Sequence, residues 1–239
     1  MKKLYVALQS KYKNKWVVVG MLEKDGHNYK FSYTKGSTSI EGFRRFGSMN
    51  NNVTLSEELF PFFVNRILSK ARPEYAKLLE WMNIDGDECD SFDMLALTEG
   101  KRGTDEIELF ACPMPVDGRF SVTFFAHGVR HTHIANQEGL SVVNSGSSIF
   151  LMKDFQNTFD TKAIALRTND PACLLGYLPR YLAVDIHKLC EYLKPEQIKV
   201  SIVRINPDAP LSFKFLCKLD APWPMGFNPC SEEEYQLLS

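Results

Sequence analysis

The chain has 239 residues, 44% of them hydrophobic and 24% charged, with a formal net charge of −1. This is the composition of a folded protein of one or two domains, not of a disordered, collagen-like or strongly basic chain. No stretch approaches the ~18 apolar residues of a membrane span, and the apolar run behind the basic start is too short for a signal peptide, so a soluble, cytoplasmic protein is expected.

Residues 4–8, 16–21 and 29–33 alternate or cluster apolar side chains as short strands do, and Lys24-Asp25-Gly26-His27 supplies a hairpin turn between the second and third. A glycine- and asparagine-rich stretch, 36–52, reads as a loop ordered only in part. Thr54-Leu55-Ser56-Glu57 then offers a helix N-cap before Leu59, Phe60, Phe63, Ile67 and Leu68, spaced by threes and fours on one face. Pro73 suits the first turn of a second helix carrying Tyr75, Leu78, Leu79 and Met82. Residues 87–97 suggest a third helix, and 107–111 a short strand. Val19-Gly20-Met21-Leu22, Tyr29-Lys30-Phe31-Ser32-Tyr33 and the run Leu59-Phe60-Pro61-Phe62-Phe63-Val64-Asn65-Arg66-Ile67-Leu68 resemble the small N-terminal lobe of HipA-type toxin kinases. No kinase core follows, so this resemblance implies a docking or regulatory module for a protein partner. The same hairpin and helix also read simply as a hydrophobic core.

Two prolines and an Asp-Gly turn at 113–118 mark the natural division, giving domains of 1–116 and 117–239. Beyond it, strands are expected at 121–127, 148–153, 163–168, 174–177, 199–205 and 212–218, with a helix from Pro179 or Arg180 to about Leu193 and a stiff turn at 206–210. Many short strands with turn signals favour a closed or nearly closed barrel. The fold class is therefore α+β, a small N-terminal sheet with helices followed by an OB-like barrel with one helix.

The second half also carries spaced elements in a set order. His127-Gly128-Val129-Arg130 comes first, then the strand ending in Lys153-Asp154 and Phe155-Gln156-Asn157-Thr158-Phe159-Asp160. Lys162-Ala163-Ile164-Ala165-Leu166 and Leu175-Gly176-Tyr177-Leu178-Pro179-Arg180 complete the series. Together they resemble the HIRAN domain, which occurs alone or fused to fork-remodelling helicases and holds the 3′ end of a DNA strand. The resemblance implies an OB-like barrel and a role for Asp160 as acceptor of the terminal 3′-hydroxyl. A carboxylate can accept that hydrogen bond and would repel a phosphate in the same place. Asn157 matches the amide that helps hold the last nucleotide. Phe159 and Tyr177 match positions lining the pocket, where aromatic faces stack bases for ~1–3 kcal/mol each. Arg130 and Arg180 stand where the family places basic residues that meet phosphates. Two departures stand out. His131 and Thr132 replace tyrosines of the fork-remodelling relatives, which implies a smaller stacking surface, and Thr158 replaces a proline, which implies a less rigid loop.

Each of these residues has a plainer reading. Phe159 fits an ordinary core ring, Asn157 to Asp160 a turn satisfied by its own side chains, Lys162 a solvated strand face and Pro179 a helix starter. Charge favours an end-binding pocket over a long groove, because residues 117–239 hold 12 Lys and Arg against 13 Asp and Glu. Other chemistry is represented sparsely. His127, His131 and His133 form an H-x-x-x-H-x-H run that suits a metal only if three imidazoles converge. Asp154, Asp160 and Lys162 resemble the carboxylate-and-lysine sets of metal-dependent nucleases, without the upstream glutamate. Residues 85–90 lack calcium-loop spacing and suit a helix cap instead. Six cysteines (Cys89, Cys112, Cys173, Cys190, Cys217 and Cys230) stand singly, as reduced and mostly buried thiols would. The reading is a non-catalytic, cofactor-free binder of single-stranded DNA 3′ ends. A protein-interaction or toxin-antitoxin-related regulator and a metal-dependent nuclease are the alternatives.

Overall fold

The structure is a computed structural model describing residues 2–10, 15–86, 89–132 and 143–238. It divides into two compact units. The first draws on the chain up to Tyr75, on the stretch that ends at Cys112 and on the C-terminal stretch from Asn228, and the second on Ala76–Gly86 and Pro113–Phe227.

The first unit is built on a five-stranded antiparallel sheet of β1 (Lys2–Ser10), β2 (Lys15–Asp25), β3 (Asn28–Tyr33), β4 (Val53–Ser56) and β5 (Ile107–Phe110), in the order β4-β3-β2-β1-β5. Asp25 pairs with Asn28 across the expected Gly26-His27 turn. Five apolar residues of β2 between Val17 and Leu22 are almost wholly buried on both faces, as a central strand requires. The stretch 36–52 is part of this core. Phe46 and Met49 are buried, and the Tyr33 hydroxyl donates to the Met49 carbonyl (2.9 Å) and accepts from the Phe46 amide (2.7 Å). The chain end is anchored here too, since the Leu238 amide donates to the Tyr33 carbonyl at 2.9 Å.

Residues 54–57 do not begin a helix. Val53–Ser56 forms edge strand β4, paired with β3 from Tyr29↔Ser56 to Ser32↔Val53, and the helix α1 is one turn, Pro61–Val64. The capping signal is real but local, because the Ser56 hydroxyl accepts from the Glu58 amide two residues on. Pro61 then sets the helix start at N1. Next in the chain come helix α2 (Glu74–Met82), most of which belongs to the second unit, and helix α3 (Ser91–Thr98) of the first. The third helix was expected from residue 87, which lies outside the described residues with 88; in the described part Asp90 caps α3 in a reciprocal box with Asp93.

The second unit holds a six-stranded antiparallel sheet of β6 (Arg119–Phe125), β7 (Ser148–Lys153), β8 (Ile164–Arg167), β9 (Leu174–Tyr177), β10 (Lys199–Ile205) and β11 (Phe215–Pro222), in the order β6-β11-β10-β7-β8-β9. Beyond β6 the chain bridges to β9. The His127 and Tyr177 amides and carbonyls exchange two hydrogen bonds of 2.9 Å, which joins the two ends of the sheet and curls it toward a barrel. That closure needs Gly176, because a Cβ there would lie 2.6 Å from the His127 carbonyl oxygen. Helix α4 (Arg180–Tyr192) buries Leu182, Ile186 and Leu189. The last strand starts later than residue 212, since 211–213 form a 3-10 turn after Pro210. Asn206 steadies this connection by donating to the Trp81 and Phe213 carbonyls (3.0 and 2.8 Å).

All six cysteines are free thiols, and burial pushes the Cys217 thiol up to about 12. Among the described residues no helix is long and apolar enough to cross a membrane.

Candidate nucleic-acid interface

The loop that joins β7 to β8, residues 154–163, is organised by its own short polar side chains. Asp154 accepts from the Gln156 amide through Oδ1 and from Asn157 Nδ2 through Oδ2, both at 3.2 Å. Asn157 Oδ1 in turn accepts from the amides of Phe159 (3.0 Å) and Asp160 (2.9 Å). Asp160 Oδ1 accepts from the Lys162 amide at 2.9 Å. Asn and Asp compete well for local backbone donors, so this run folds as linked turns without apolar packing.

One consequence is that the loop's aromatic rings are not needed inside. Phe155 is 83% exposed and Phe159 77% exposed, so Phe159 is not a core ring. Displayed rings of this size on a polar-satisfied loop are unusual for a buried-core sequence and suit contact with a flat partner.

Tertiary contacts fix the loop at two points. The Tyr177 hydroxyl on β9 donates to Asp154 Oδ2 at 3.0 Å. Burial, and then that bond to Asp154, push the phenol above its ordinary range. Arg180 Nε lies 3.4 Å from Asp160 Oδ2. Arg180 is the first residue of α4, where a cation opposes the helix dipole, so its place there is better accounted for by the carboxylate than by the helix. Pro179 sits at the N-cap, as a helix starter would.

The structure thus joins the side chains of Asp154, Asn157, Asp160, Tyr177 and Arg180 into one hydrogen-bonded and ion-paired group, which Lys162 enters through its backbone amide, and Phe159 on the same loop is exposed. Arg130 and His131 lie on a 3-10 turn, Val129–His131, which follows Gly128 (φ 65°). A Cβ at Gly128 would stand 3.1 Å from the Tyr177 ring, so this turn lies against the same tyrosine. Both side chains are exposed, and Arg130 Nε donates to His131 Nε2 at 2.9 Å. Sequence reasoning did not identify Asp154 as the hub. Its acidic side chain three residues before an asparagine was the available signal for an Asx turn. Phe150 and Met152 of β7, 43% and 46% exposed, also went unnoticed; the Arg167 guanidinium lies 5.5 Å from the Phe150 ring centroid.

Among the described residues no three His, Cys, Asp or Glu side chains are grouped to hold a metal. Asp154 and Asp160 each accept hydrogen bonds from within the loop. His133, and Asp87 and Glu88 of the 85–90 stretch, lie outside the described residues.

Residues 120–220 match the family model of the HIRAN domain. That match covers a little under half of the chain. Two solved structures resemble it: the HIRAN domain of human HLTF (19% identity, 42% of this chain and 74% of that one, TM-score 0.32) and a Lactobacillus plantarum protein (18% identity, 44% of this chain and 99% of that one, TM-score 0.32). Neither likeness is close enough to speak for function. No curated protein matches the sequence.

Proposed function

We propose that the HIRAN domain binds the 3′-hydroxyl end of single-stranded DNA without cleaving it. The observation that carries this reading is the Asp160 carboxylate, fixed by the Lys162 amide and Arg180 on a loop that displays Phe155 and Phe159. An ionised carboxylate offers about four lone-pair positions, and its two protein partners leave room for one hydroxyl donor. A strand that continues past its sugar brings a phosphate to the same oxygen, and like charge rejects it. Arg180 softens that rejection and is also the group best placed to take the nearest phosphate. The Asn157 side chain acts on the strand through the loop it shapes, since its oxygen is occupied by two amides. Exposed rings supply base stacking that tolerates any sequence.

Competition between two otherwise identical oligonucleotides tests this reading. A 3′-hydroxyl strand should outcompete its 3′-phosphate twin, and Asp160→Ala should erase the difference; equal affinity of the native protein for both would overturn the proposal. With two or three phosphates engaged, log affinity should fall against log salt with a slope of about −1.5 to −2. We propose a protein partner for the first unit, on the likeness of its hairpin and apolar run to a kinase regulatory lobe. A pull-down that survives nuclease treatment would identify such a partner, and a lone monomer would argue against it.

A further inference from the structure

We propose that Lys153, Lys162 and His187 form a seat for one internal phosphate of the strand whose end meets Asp160. This rests on the end-binding reading above, and extends it to a helix residue outside the sequence elements of the family resemblance.

The three residues converge from three elements. Lys153 ends β7 and stands opposite Ile164 in the β7–β8 ladder. Lys162 lies two residues before that partner, and its carbonyl oxygen is 3.2 Å from His187 Nε2 on α4. Lys153 also lines, with Ile186 and Cys190 of α4, a pocket of about 930 Å³ on whose wall β7 and β10 part company. Those two strands pair only at Val200↔Ile149 and Ser201↔Ser148, so β7 runs on from Phe150 to Lys153 without β10 beside it. The helix face carrying Ile186 and Cys190 therefore looks onto the end of β7, and His187 beside it reaches the Lys162 carbonyl.

The local charge is unbalanced. No ion pair among the described residues neutralises Lys153 or Lys162. Asp160, the acidic neighbour, already faces Arg180. His187 sits in this field: burial above all holds its imidazole below the ordinary 6.5, the bond to the Lys162 carbonyl acts the other way, and the charges of Lys153 and Lys162 depress it further against Asp160. Two unpaired ammonium groups beside a suppressed imidazole are stabilised by an anion of phosphodiester size. With Nε2 bonded to the Lys162 carbonyl, the proton gained on acidification goes to Nδ1 and offers the anion a third donor. An anion in the seat raises the His187 pKa, so binding takes up a proton and affinity must rise as pH falls.

The test uses the full chain and a fluorescent ten-residue oligothymidylate ending in a 3′-hydroxyl, titrated at pH 7.5 and pH 5.5. Affinity is expected to tighten by roughly threefold to tenfold at the lower pH, within the roughly hundredfold ceiling that one linked proton sets over two pH units. His187→Gln keeps an N–H for the Lys162 carbonyl but cannot gain charge, and should flatten that response. His131→Gln, whatever it does to affinity at neutral pH, should retain it. Lys153→Ala and Lys162→Ala should each reduce the salt slope by about 0.7, one phosphate contact on a single strand. One methylphosphonate, moved along the strand, should find a single linkage at which Lys153→Ala makes no further difference. Inorganic phosphate at constant ionic strength separates a free-anion site, which it would block, from a phosphodiester seat. An unchanged pH response in His187→Gln, or unchanged slopes in both lysine variants, overturns the seat while preference for the 3′-hydroxyl persists. Loss of that preference in the native protein overturns the end-binding reading instead.

Discussion

The stretch 36–52 and the loop 154–163 are both polar on paper, both punctuated by Asn, Ser, Gly or Asp, and both carry phenylalanines, but the rings go opposite ways. In the first, Phe46 is buried against Phe62 with centroids 4.6 Å apart, and the backbone on either side is tied to the Tyr33 hydroxyl. In the second, Asp154, Asn157 and Asp160 satisfy the backbone from within, and Phe155 and Phe159 face solvent. The difference lies in where the polar partner comes from. A loop that borrows its hydrogen bonds from a core tyrosine must lay its rings against that core. A loop that makes its own can leave them free for a ligand.

The sharpest way to break this contrast is to truncate one ring in each loop. Phe46→Ala should cost about 3–5 kcal/mol of unfolding free energy, the range for emptying a buried aromatic site. Phe159→Ala should stay within about 0.5 kcal/mol, as exposed positions do. Urea denaturation of the two variants measures both, and comparable losses would mean that Phe159 packs after all. The oligonucleotide titration should invert the ranking for Phe159, with a binding loss of about 1–3 kcal/mol if a base stacks on it.

Tyr33→Phe sharpens the first half of the contrast. It removes no volume, yet it leaves the Phe46 amide and the Met49 carbonyl without their buried partner, which should cost about 1–3 kcal/mol. A loss below ~0.5 kcal/mol would show that water or a shifted backbone takes over the hydroxyl's role.

The two loops also differ in how much of them sequence could reveal. The ends of β7, β9 and β10, and the start of α4, follow from apolar runs bounded by turn residues and proline, and they appear where those signals stop. Asp160 and Tyr177 became candidates only through the family resemblance. Their partners were not legible: the Tyr177 hydroxyl reaches Asp154 across 23 residues and Arg180 reaches Asp160 across the β8–β9 excursion, and no local spacing encodes either meeting. In the first unit, Thr54 to Glu57 looked like a helix cap because the capping pattern is local, whereas its strand role depends on β3 lying alongside. The stretch 36–52 misled for the same reason. Its order comes from a tyrosine outside it, and polarity alone gives no warning of that.

A modest effect on stability tests the self-sufficient loop most directly. Asn157→Ala removes an acceptor shared by two amides and a donor to Asp154, all near solvent, so the fold should lose only about 0.5–1.5 kcal/mol. The Asp160 carboxylate, however, is placed by the same turn, since its own amide is one of the two that lose their partner. Preference for a 3′-hydroxyl over a 3′-phosphate should therefore decline more than overall affinity does, because stacking on Phe155 and contacts to inner phosphates do not pass through Asn157. Asn157→Asp separates geometry from charge: it keeps an acceptor for the Phe159 and Asp160 amides but sets a second carboxylate against Asp154 Oδ2. If position alone matters, Asn157→Asp should retain more of the preference than Asn157→Ala. If the alanine variant discriminates as well as the native protein, the turn is not what aims the carboxylate, and Arg180 must hold it unaided.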